Sequence, residues 1–425
     1  MPIVIKNGRV MDPASGTDRV ADVLIVDGRI AGVAPNLSSP RAEIFDAAGM
    51  IVAPGFIDMH VHLREPGFEH AETIESGSRA AAAGGFTTIC CMPNTKPVND
   101  SPTVTSYIVE RARNQAVVNV FPIGAITRGS AGEELAAIGA MKAAGAVAIS
   151  DDGLPVMNAL VMRRAMEFAR SYDLPVIQHC EDLNLSAGGD MHEGAPSVRW
   201  GLRGIPAASE DVMAARDLVL AQLTGARYHV AHISTRNAVA MVDYARRQGI
   251  PATCEATPHH FSLTDQDMAP YDSNYKMKPP LRSERHRAAV VEGIVAGTIS
   301  AIATDHAPHP GSEKMQEFER CPFGIIGLET AVALALEELV RPGRITLNRM
   351  VELFTTGPES VVRLGRGTLA SGAPGDVTVF STELSWTYDV NQSFSRSRNS
   401  PFDGRTFRGG PMATVVNGQF AWKRG

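Results

Sequence analysis

The chain has 425 residues, 44% hydrophobic and 20% charged, which is ordinary for a globular enzyme with a large core or two domains. A net charge of −6 with no basic patch argues against a nucleic-acid partner, and no apolar run predicts a membrane span. The first residues lack the pattern of a signal peptide, and five cysteines without a CxxC pair favour reduced thiols in a cytoplasmic protein.

Both ends of the chain are β-rich. Residues 1–53 and 366–425 contain short apolar runs, among them the strand-like GDVTVFS. Turn signals separate these runs at Asn7-Gly8, Asp27-Gly28 and Asn417-Gly418. The pattern predicts three hairpins and one small composite β domain, a β-sandwich formed from both termini. Two separate terminal caps are the alternative.

The middle of the chain, residues 54–365, alternates between short apolar runs and helical stretches such as Ser209–Leu223 and Asn237–Gln248. The apolar runs begin near Phe56, Phe86, Val117, Ala146, Pro175, Tyr228, Pro251 and Ile299. Strands that alternate with helices predict a parallel sheet, and eight such units match a (β/α)8 TIM-like barrel. A doubly wound open sheet is the alternative, but no GxGxxG or GxxxxGK[ST] motif follows an early strand.

Polar residues with metal-ligand chemistry fall at the ends of five of these runs. The first run ends in His60 and His62, which share a face because strand side chains alternate. The others are Asp151 or Asp152 after the fourth run, His179 after the fifth, His232 after the sixth and Asp305 after the eighth. In a barrel, catalytic residues gather at the carboxyl ends of the strands, so we expect these side chains to meet.

Histidine and aspartate together suit zinc, and a site open to water suits catalysis. Each residue taken alone has an ordinary structural explanation, such as a helix N-cap or a turn for the aspartate before Gly153. If such structural explanations applied to all of these residues, five separate coincidences would be required at one end of one sheet. Six ligands exceed one tetrahedral zinc, so two ions sharing a bridge are expected and one ion is the alternative.

These segments resemble a known family. The sequences GFIDMHVHLREPG, MPNT, SDDG, QHCED, AHIS, ATPHH, KPPLR and TDHAPH are similar to those of the dihydroorotases, members of the amidohydrolase superfamily with the hydantoinases and allantoinases. The resemblance runs from about residue 50 to residue 360. HLREPG with MPNT is its most specific part, since HxH and TDHAP occur throughout the superfamily.

The resemblance implies zinc-dependent, reversible cyclisation of N-carbamoyl-L-aspartate to L-dihydroorotate in pyrimidine biosynthesis. It implies six zinc ligands: His60, His62, Asp152, His179, His232 and Asp305. Asp152 stands where hydantoinase-like relatives carry a carboxylated, metal-bridging lysine. Asp305 is also our candidate general base, which would take a proton from the attacking water and return it to the leaving nitrogen.

The substrate carries a carboxylate, which a guanidinium fork binds well. Arg64 lies two residues beyond His62 and is the first candidate, although an ion pair with Glu65 or Glu69 is its ordinary alternative. The full expected substrate-binding set is His62, Arg64, Asn94, Lys278, His309, Phe323 and Gly324. Lys278 departs from the asparagine common in the family, so it either turns away or contacts the carboxylate.

Several expectations stay open. A hydantoinase or allantoinase would use the same metals on a ring without the carboxylate, and a silent barrel would serve only as a partner of aspartate transcarbamoylase. A homo-oligomer and an association with that enzyme are further expectations. Residues 309–321 form either a mobile lid or an ordinary loop. His259 and His260 are expected to be structural or to orient a metal ligand.

Overall fold

The computed structural model describes all 425 residues and shows a mixed α/β protein. The strands are β1 (Ile3–Asp12), β2 (Thr17–Val26), β3 (Arg29–Ala34), β4 (Glu43–Asp46), β5 (Ile51–Pro54), β6 (Phe56–Val61), β7 (Phe86–Cys91), β8 (Asn119–Pro122), β9 (Val176–Gln178), β10 (Met191–His192), β11 (Gly204–Ile205), β12 (Tyr228–Val230), β13 (Ala252–Ala256), β14 (Ala301–Ile302), β15 (Val377–Thr387), β16 (Thr406–Val416) and β17 (Gln419–Lys423). The helices are α1 (Ile74–Ala83), α2 (Pro102–Gln115), α3 (Ile138–Ala144), α4 (Ala159–Ser171), α5 (Leu183–Ser186), α6 (Ala195–Trp200), α7 (Ala208–Thr224), α8 (Arg236–Arg247), α9 (Pro258–Ser262), α10 (Glu284–Ala296), α11 (Gly311–Lys314), α12 (Ala331–Ala335), α13 (Leu347–Phe354) and α14 (Thr356–Val362). No helix combines the length and the apolar character needed to cross a bilayer.

Strands from both ends of the chain share one sheet. Its order is β17-β16-β15-β5-β1-β2-β3, with β4 added beside β1. The junction is the antiparallel pairing of β15 with β5, which sets Val377 opposite Pro54. Aliphatic side chains from both ends, including Ile5, Val23, Val379 and Val415, form one buried cluster on this sheet. Strands from the two ends of the chain are therefore hydrogen-bonded neighbours in one sheet.

Two of the three predicted hairpin turns are confirmed and one is wrong. Asp27-Gly28 joins β2 to β3, and Asn417-Gly418 joins β16 to β17. Asn7-Gly8 instead lies inside β1, where the register with β2 shifts between Ile5 and Gly8. Asn7 is left-handed there (φ 62°), and its backbone N–H donates to Asp22 Oδ1 at 2.9 Å. The same turn-type dipeptide thus forms a β-bulge, because pairing on both sides continues through it.

The middle of the chain forms two parallel sheets joined by single bridges. One sheet is β6-β7-β8 and the other is β9-β12-β13-β14. Parallel bridges link Gly124 to Ile149 and Ile149 to Val176, and a further bridge links Val61 to His306. The fourth predicted run therefore contributes only single bridges at Ile149, while the other seven runs contain strands. The predicted helices at Ser209–Leu223 and Asn237–Gln248 are present as α7 and α8.

Small apolar side chains fill the space below the carboxyl ends of these strands. Met59, Cys90, Ile123, Ala148 and Ile177 come from the first five of the predicted apolar runs and share one buried cluster. This apolar cluster forms the interior of the parallel sheets beneath the polar residues at the strand ends. All five cysteines are buried and unpaired, which agrees with the expectation of free thiols.

Candidate active site

A cavity of about 360 Å³ opens at the carboxyl ends of the parallel strands. It is lined by His62, Arg64, Asn94, Asp152, Gly153, His179, His232, Lys278, Asp305, Ala307, His309, Pro322, Phe323 and Gly324. Eleven of the twelve residues predicted from the sequence are therefore in the lining. The twelfth, His60, is fully buried directly beneath it.

His60 and His62 extend side by side from the end of β6, with ring centroids 5.5 Å apart. Nδ1 of His60 lies 2.7 Å from Glu255 Oε1, and Nδ1 of His62 lies 2.8 Å from Asn94 Oδ1. A carboxylate and an amide oxygen only accept, so each imidazole donates through Nδ1. In the neutral imidazoles both Nε2 atoms then present a lone pair to the interior of the site, as metal coordination requires.

Asp152 lies at the centre of the cluster. Its Oδ1 is 3.3 Å from His60 Nε2, 3.5 Å from His232 Nε2 and 3.9 Å from His179 Nδ1. Its Oδ2 is 3.3 Å from His62 Nε2. The two carboxylate oxygens thus face different histidines, an arrangement suited to a ligand shared between two positions.

His179 and His232 close the other side of the cluster. His179 donates through Nε2 to Glu181 Oε2 at 2.9 Å, and its Nδ1 lies 3.0 Å from His232 Nε2. The donation to Glu181 leaves the Nδ1 lone pair of His179 turned toward Asp152 and His232. Each of the four histidines therefore presents one ring nitrogen to the same small volume.

Asp305 completes the set from the loop after β14. Its Oδ1 lies 3.1 Å from His62 Nε2 and 3.5 Å from His60 Nε2. The backbone of Asp305 is left-handed (φ 49°), as is that of His232 (φ 32°) and Arg64 (φ 61°). Such conformations cost energy in residues other than glycine, and they are typical of functional sites where surrounding packing enforces them.

Buried polar atoms without hydrogen-bond partners mark the centre of this cluster. They are His60 Nε2 and Asp152 Oδ1, which lie 3.3 Å apart. A third unpaired atom is Nδ1 of His232, the ring nitrogen other than the one that faces Asp152. Leaving a buried polar atom unpaired costs free energy, so such atoms need an explanation. Two sets of ligand atoms lie close enough for a shared ion: His60 with Asp152 and His232, and His60 with His62 and Asp305. The donor set fits a divalent metal that prefers imidazole and carboxylate.

The electrostatics favour ionised carboxylates. Burial alone would raise the pKa of Asp152 and of Asp305, but the neighbouring histidines outweigh it and both pKa values are lowered. Burial opposes protonation of His60, yet the charges of these two carboxylates raise its pKa. The site therefore concentrates negative charge that a cation would neutralise.

Arg64 reaches the cavity with its side chain partly buried. Its Nε donates to Pro308 O at 3.1 Å, and its Nη2 lies 3.2 Å from His309 Nε2. Burial lowers the pKa of Arg64 to about 10, so the group stays charged at neutral pH. Glu65 is instead bonded to Arg111 at 2.6 Å, and Glu69 accepts from the backbone of Gly67. The alternative of an ion pair with either glutamate is excluded.

Lys278 also faces the cavity rather than turning away. Its Nζ lies 2.7 Å from Glu181 Oε1 and 5.0 Å from the centroid of the Phe323 ring. Glu181 therefore holds both His179 and Lys278. Asn94 has its oxygen committed to His62, so only its amide nitrogen is left for a ligand.

The backbone of Gly324 is occupied within the protein. Its N–H donates to Lys276 O at 2.9 Å, and its carbonyl accepts from Asn399 Nδ2 at 3.0 Å and Lys314 Nζ at 3.1 Å. Direct hydrogen bonding of Gly324 to a ring, as the resemblance implies, would need one of these bonds to open. The carbonyl of Phe323 lies 2.9 Å from His309 Nε2.

Asp151 has different hydrogen-bond partners from its neighbour Asp152. Asp151 Oδ1 accepts from the backbone of Ile126 at 2.8 Å and of Thr127 at 3.1 Å, and Oδ2 accepts from the Thr127 hydroxyl. It therefore organises the neighbouring loop and does not reach the cluster. Segment 309–321 contains the short helix α11, and Lys314 within it donates to Pro322 O at 3.0 Å; the mobile lid stays a prediction.

Sequence reasoning missed the carboxylates that hold the histidines. Glu255 joins His60 to His229, whose Nε2 lies 3.3 Å from Glu255 Oε2, and Glu181 performs the corresponding role for His179. The available signal was a glutamate inside a buried apolar strand and another two residues after a candidate ligand. His259 is buried with its Nε2 unpaired, and burial lowers its pKa to about 4.

Comparisons with known proteins agree with this geometry. Residues 49–238 match the model of a family described as dihydro-orotase-like. The chain is 86% identical over 424 residues to a dihydroorotase of Solibacter usitatus, covering 100% of this chain and 99% of the relative. It is 52% identical to a dihydroorotase of Pelotomaculum thermopropionicum, covering 99% and 98% of the two chains.

The fold is also found in solved structures. An L-hydantoinase (dihydropyrimidinase) from Arthrobacter aurescens superposes with a TM-score of 0.89 at 25% identity, covering 100% of this chain and 96% of that chain. A D-hydantoinase superposes with a TM-score of 0.86 at 24% identity, over 99% and 95% of the two chains. The second similarity concerns the fold alone. With its full-length relatives and its cluster of histidines and aspartates, the chain belongs to the dihydroorotase family of cyclic amidohydrolases.

Proposed function

We propose that this chain catalyses the reversible cyclisation of N-carbamoyl-L-aspartate to L-dihydroorotate, a step of pyrimidine biosynthesis. The observation that carries the proposal is a partly buried guanidinium, Arg64, that shares one cavity with the histidine–aspartate cluster. A cyclic amide substrate with a carboxylate can place the carboxylate at Arg64 and its ring amide at the cluster. Hydantoin and allantoin lack that carboxylate and leave Arg64 without a partner.

The residues that would hold zinc are His60, His62, Asp152, His179, His232 and Asp305. Two ions are proposed, because two overlapping ligand sets exist and the oxygens of Asp152 face different histidines. Asp152 would be the shared ligand. Bound zinc supplies Lewis acidity, which makes water a better nucleophile near neutral pH and polarises a carbonyl.

Asp305 is the proposed general base. Its lowered pKa keeps the carboxylate ionised, and it lines the cavity with Oδ1 3.1 Å from His62 Nε2. In hydrolysis, Asp305 accepts a proton as the oxygen of water bonds to the ring carbonyl carbon. It then delivers that proton to the ring nitrogen as the carbon–nitrogen bond breaks. In cyclisation the same carboxylate takes the proton from the carbamoyl nitrogen and returns it to the departing water.

The expected barrel and domain organisation are supported by the strand pairing. We infer that the two parallel sheets and their bridges make one eight-stranded barrel over residues 54–365, because the Val61–His306 bridge joins the last strand to the first. The shared terminal sheet supports a composite β-sandwich domain from residues 1–53 and 366–425. A cytoplasmic location, a homo-oligomer and an association with aspartate transcarbamoylase stay predictions.

The test is a substrate panel on purified protein, with zinc counted in the same sample. Turnover of dihydroorotate and carbamoyl aspartate is expected, with little turnover of hydantoin or allantoin. Preference for hydantoin or allantoin would make the chain a different cyclic amidohydrolase. Protein without zinc that stays inactive after zinc is added would show a silent barrel.

A further inference from the structure

One wall of the substrate cavity is made largely of backbone. We use the name backbone wall for Ala307, His309, Pro322, Phe323 and Gly324, which are neighbours in the lining of the cavity. The wall comes from two loop segments whose positions are set by hydrogen bonds to other parts of the chain. Two buried side chains provide most of those bonds.

Asn399 binds three residues at this wall with one amide. Its Nδ2 donates to Ala307 O at 2.9 Å and to Gly324 O at 3.0 Å, while its Oδ1 accepts from His309 N at 3.1 Å. Asn399 is only 3% exposed and belongs to the C-terminal segment between β15 and β16. Both donors and the acceptor of the amide are therefore committed to the backbone wall.

Lys314 also donates a hydrogen bond to the Gly324 carbonyl. Its ammonium donates to Lys276 O at 3.3 Å, Pro322 O at 3.0 Å and Gly324 O at 3.1 Å. No carboxylate lies within ion-pair distance, so its three protons serve only backbone carbonyls. Lys314 is only 6% exposed, which is unusual for a lysine, so its ammonium is bound by these carbonyls instead of by solvent.

We propose that Asn399 and Lys314 are positioning residues that together fix the Gly324 carbonyl and so set the affinity of the cavity for its substrate. Neither side chain lines the cavity, so each acts through the backbone that does. The Gly324 carbonyl accepts from both, which uses its two lone pairs and couples the two residues. Because the left-handed Gly324 (φ 132°) has no side chain to anchor it, these bonds determine where the wall lies.

The test compares Asn399→Ala, Lys314→Met and the double variant with wild type, and it rests on the proposed function for its kinetic part. Each single variant is expected to raise KM for dihydroorotate about tenfold, with kcat within about twofold and an unchanged zinc content. The double variant should raise KM by less than the product of the two, since both act on one carbonyl. Asn114→Ala and Lys142→Met change exposed residues of the same types and should behave as wild type.

A second measurement, of backbone exchange, does not depend on enzymatic activity. Hydrogen–deuterium exchange of peptides covering residues 305–326, without substrate, should be faster in both single variants and unchanged in the two controls. If Asn399→Ala does not fold, Asn399→Asp retains the acceptor for His309 while removing both donors, and it should show the same faster exchange. Unchanged exchange and KM in the single variants, or lost zinc and kcat at constant KM, would overturn the proposal. Faster exchange in a wild-type-like fold that never turns over dihydroorotate would overturn only the proposed function.

Discussion

Two buried polar clusters lie side by side in this protein and differ in one respect. The cluster at the cavity contains His60, Asp152 and His232, whose buried atoms include several without a hydrogen-bond partner. The cluster around Arg282 is equally buried, yet Arg282 donates to Ser234 Oγ, Ile205 O and His192 Nδ1, and no side-chain atom of Arg282, Ser234 or His192 is both buried and without a hydrogen-bond partner. Burial of charge alone therefore does not mark a catalytic site, whereas burial with unpaired atoms facing a cavity does.

The largest effect is expected from Asp152→Asn. The change removes the charge at the centre of the cluster, so zinc content and dihydroorotase activity should fall together, activity by about a thousandfold. Metal analysis and a dihydroorotate assay on one sample measure both. Asp151→Asn is the matched control: it weakens loop contacts with Ile126 and Thr127 but should retain zinc. Equal zinc loss in both variants would contradict the assignment of Asp152.

The next largest effect concerns the substrate carboxylate. Arg64→Met removes the guanidinium and its contact with His309 but leaves the four histidines proposed as zinc ligands in place, so kcat/KM for dihydroorotate should fall about a hundredfold, as expected for a lost charge-assisted hydrogen bond. Zinc content should not change. Arg64→Lys should recover only part of the loss, because an ammonium does not reproduce the fork. Unchanged kcat/KM in Arg64→Met would place the carboxylate elsewhere.

A matched pair of glutamates sharpens the comparison between the clusters. Glu255→Gln disturbs the carboxylate that holds His60 and should weaken zinc affinity about ten- to a hundredfold. Glu210→Gln removes the carboxylate 3.6 Å from Arg282 and should instead lower the free energy of unfolding, by about 3 kcal/mol, with zinc affinity unchanged. Zinc competition titration and urea unfolding measure the two outcomes. If each variant lost both properties, the clusters would not be functionally separate.

Local sequence signals predicted which histidines and aspartates lie together, and the reason is geometric. His60, His179 and Asp305 each follow an apolar run, and strand ends of parallel sheets converge whatever the loops do. The bulge at Asn7-Gly8 was mistaken for a turn, because a dipeptide signal carries no information on strand pairing. Asn399 could not be predicted, since its partners His309 and Gly324 lie 90 and 75 residues away in the sequence.

The smallest expected effect is a pH dependence of stability from the Arg282 cluster. Burial, with help from the charge of Arg282, lowers the pKa of His192 from 6.5 to about 3. Between these values the unfolded chain binds more protons than the folded one, so the free energy of unfolding falls as the pH drops below 6.5. One such group changes it by at most about 1.4 kcal/mol per pH unit.

His192→Gln retains an acceptor for Arg282 but cannot be protonated, so its stability should decline less steeply than that of wild type from pH 6.5 to pH 5. Urea unfolding at several pH values gives the difference between the two curves, in which all other titrating groups cancel. The wild-type advantage at pH 7.5 should shrink steadily as the pH falls. Parallel curves would mean that His192 is not held neutral, and the Arg282 cluster would then contribute to stability without any histidine titration.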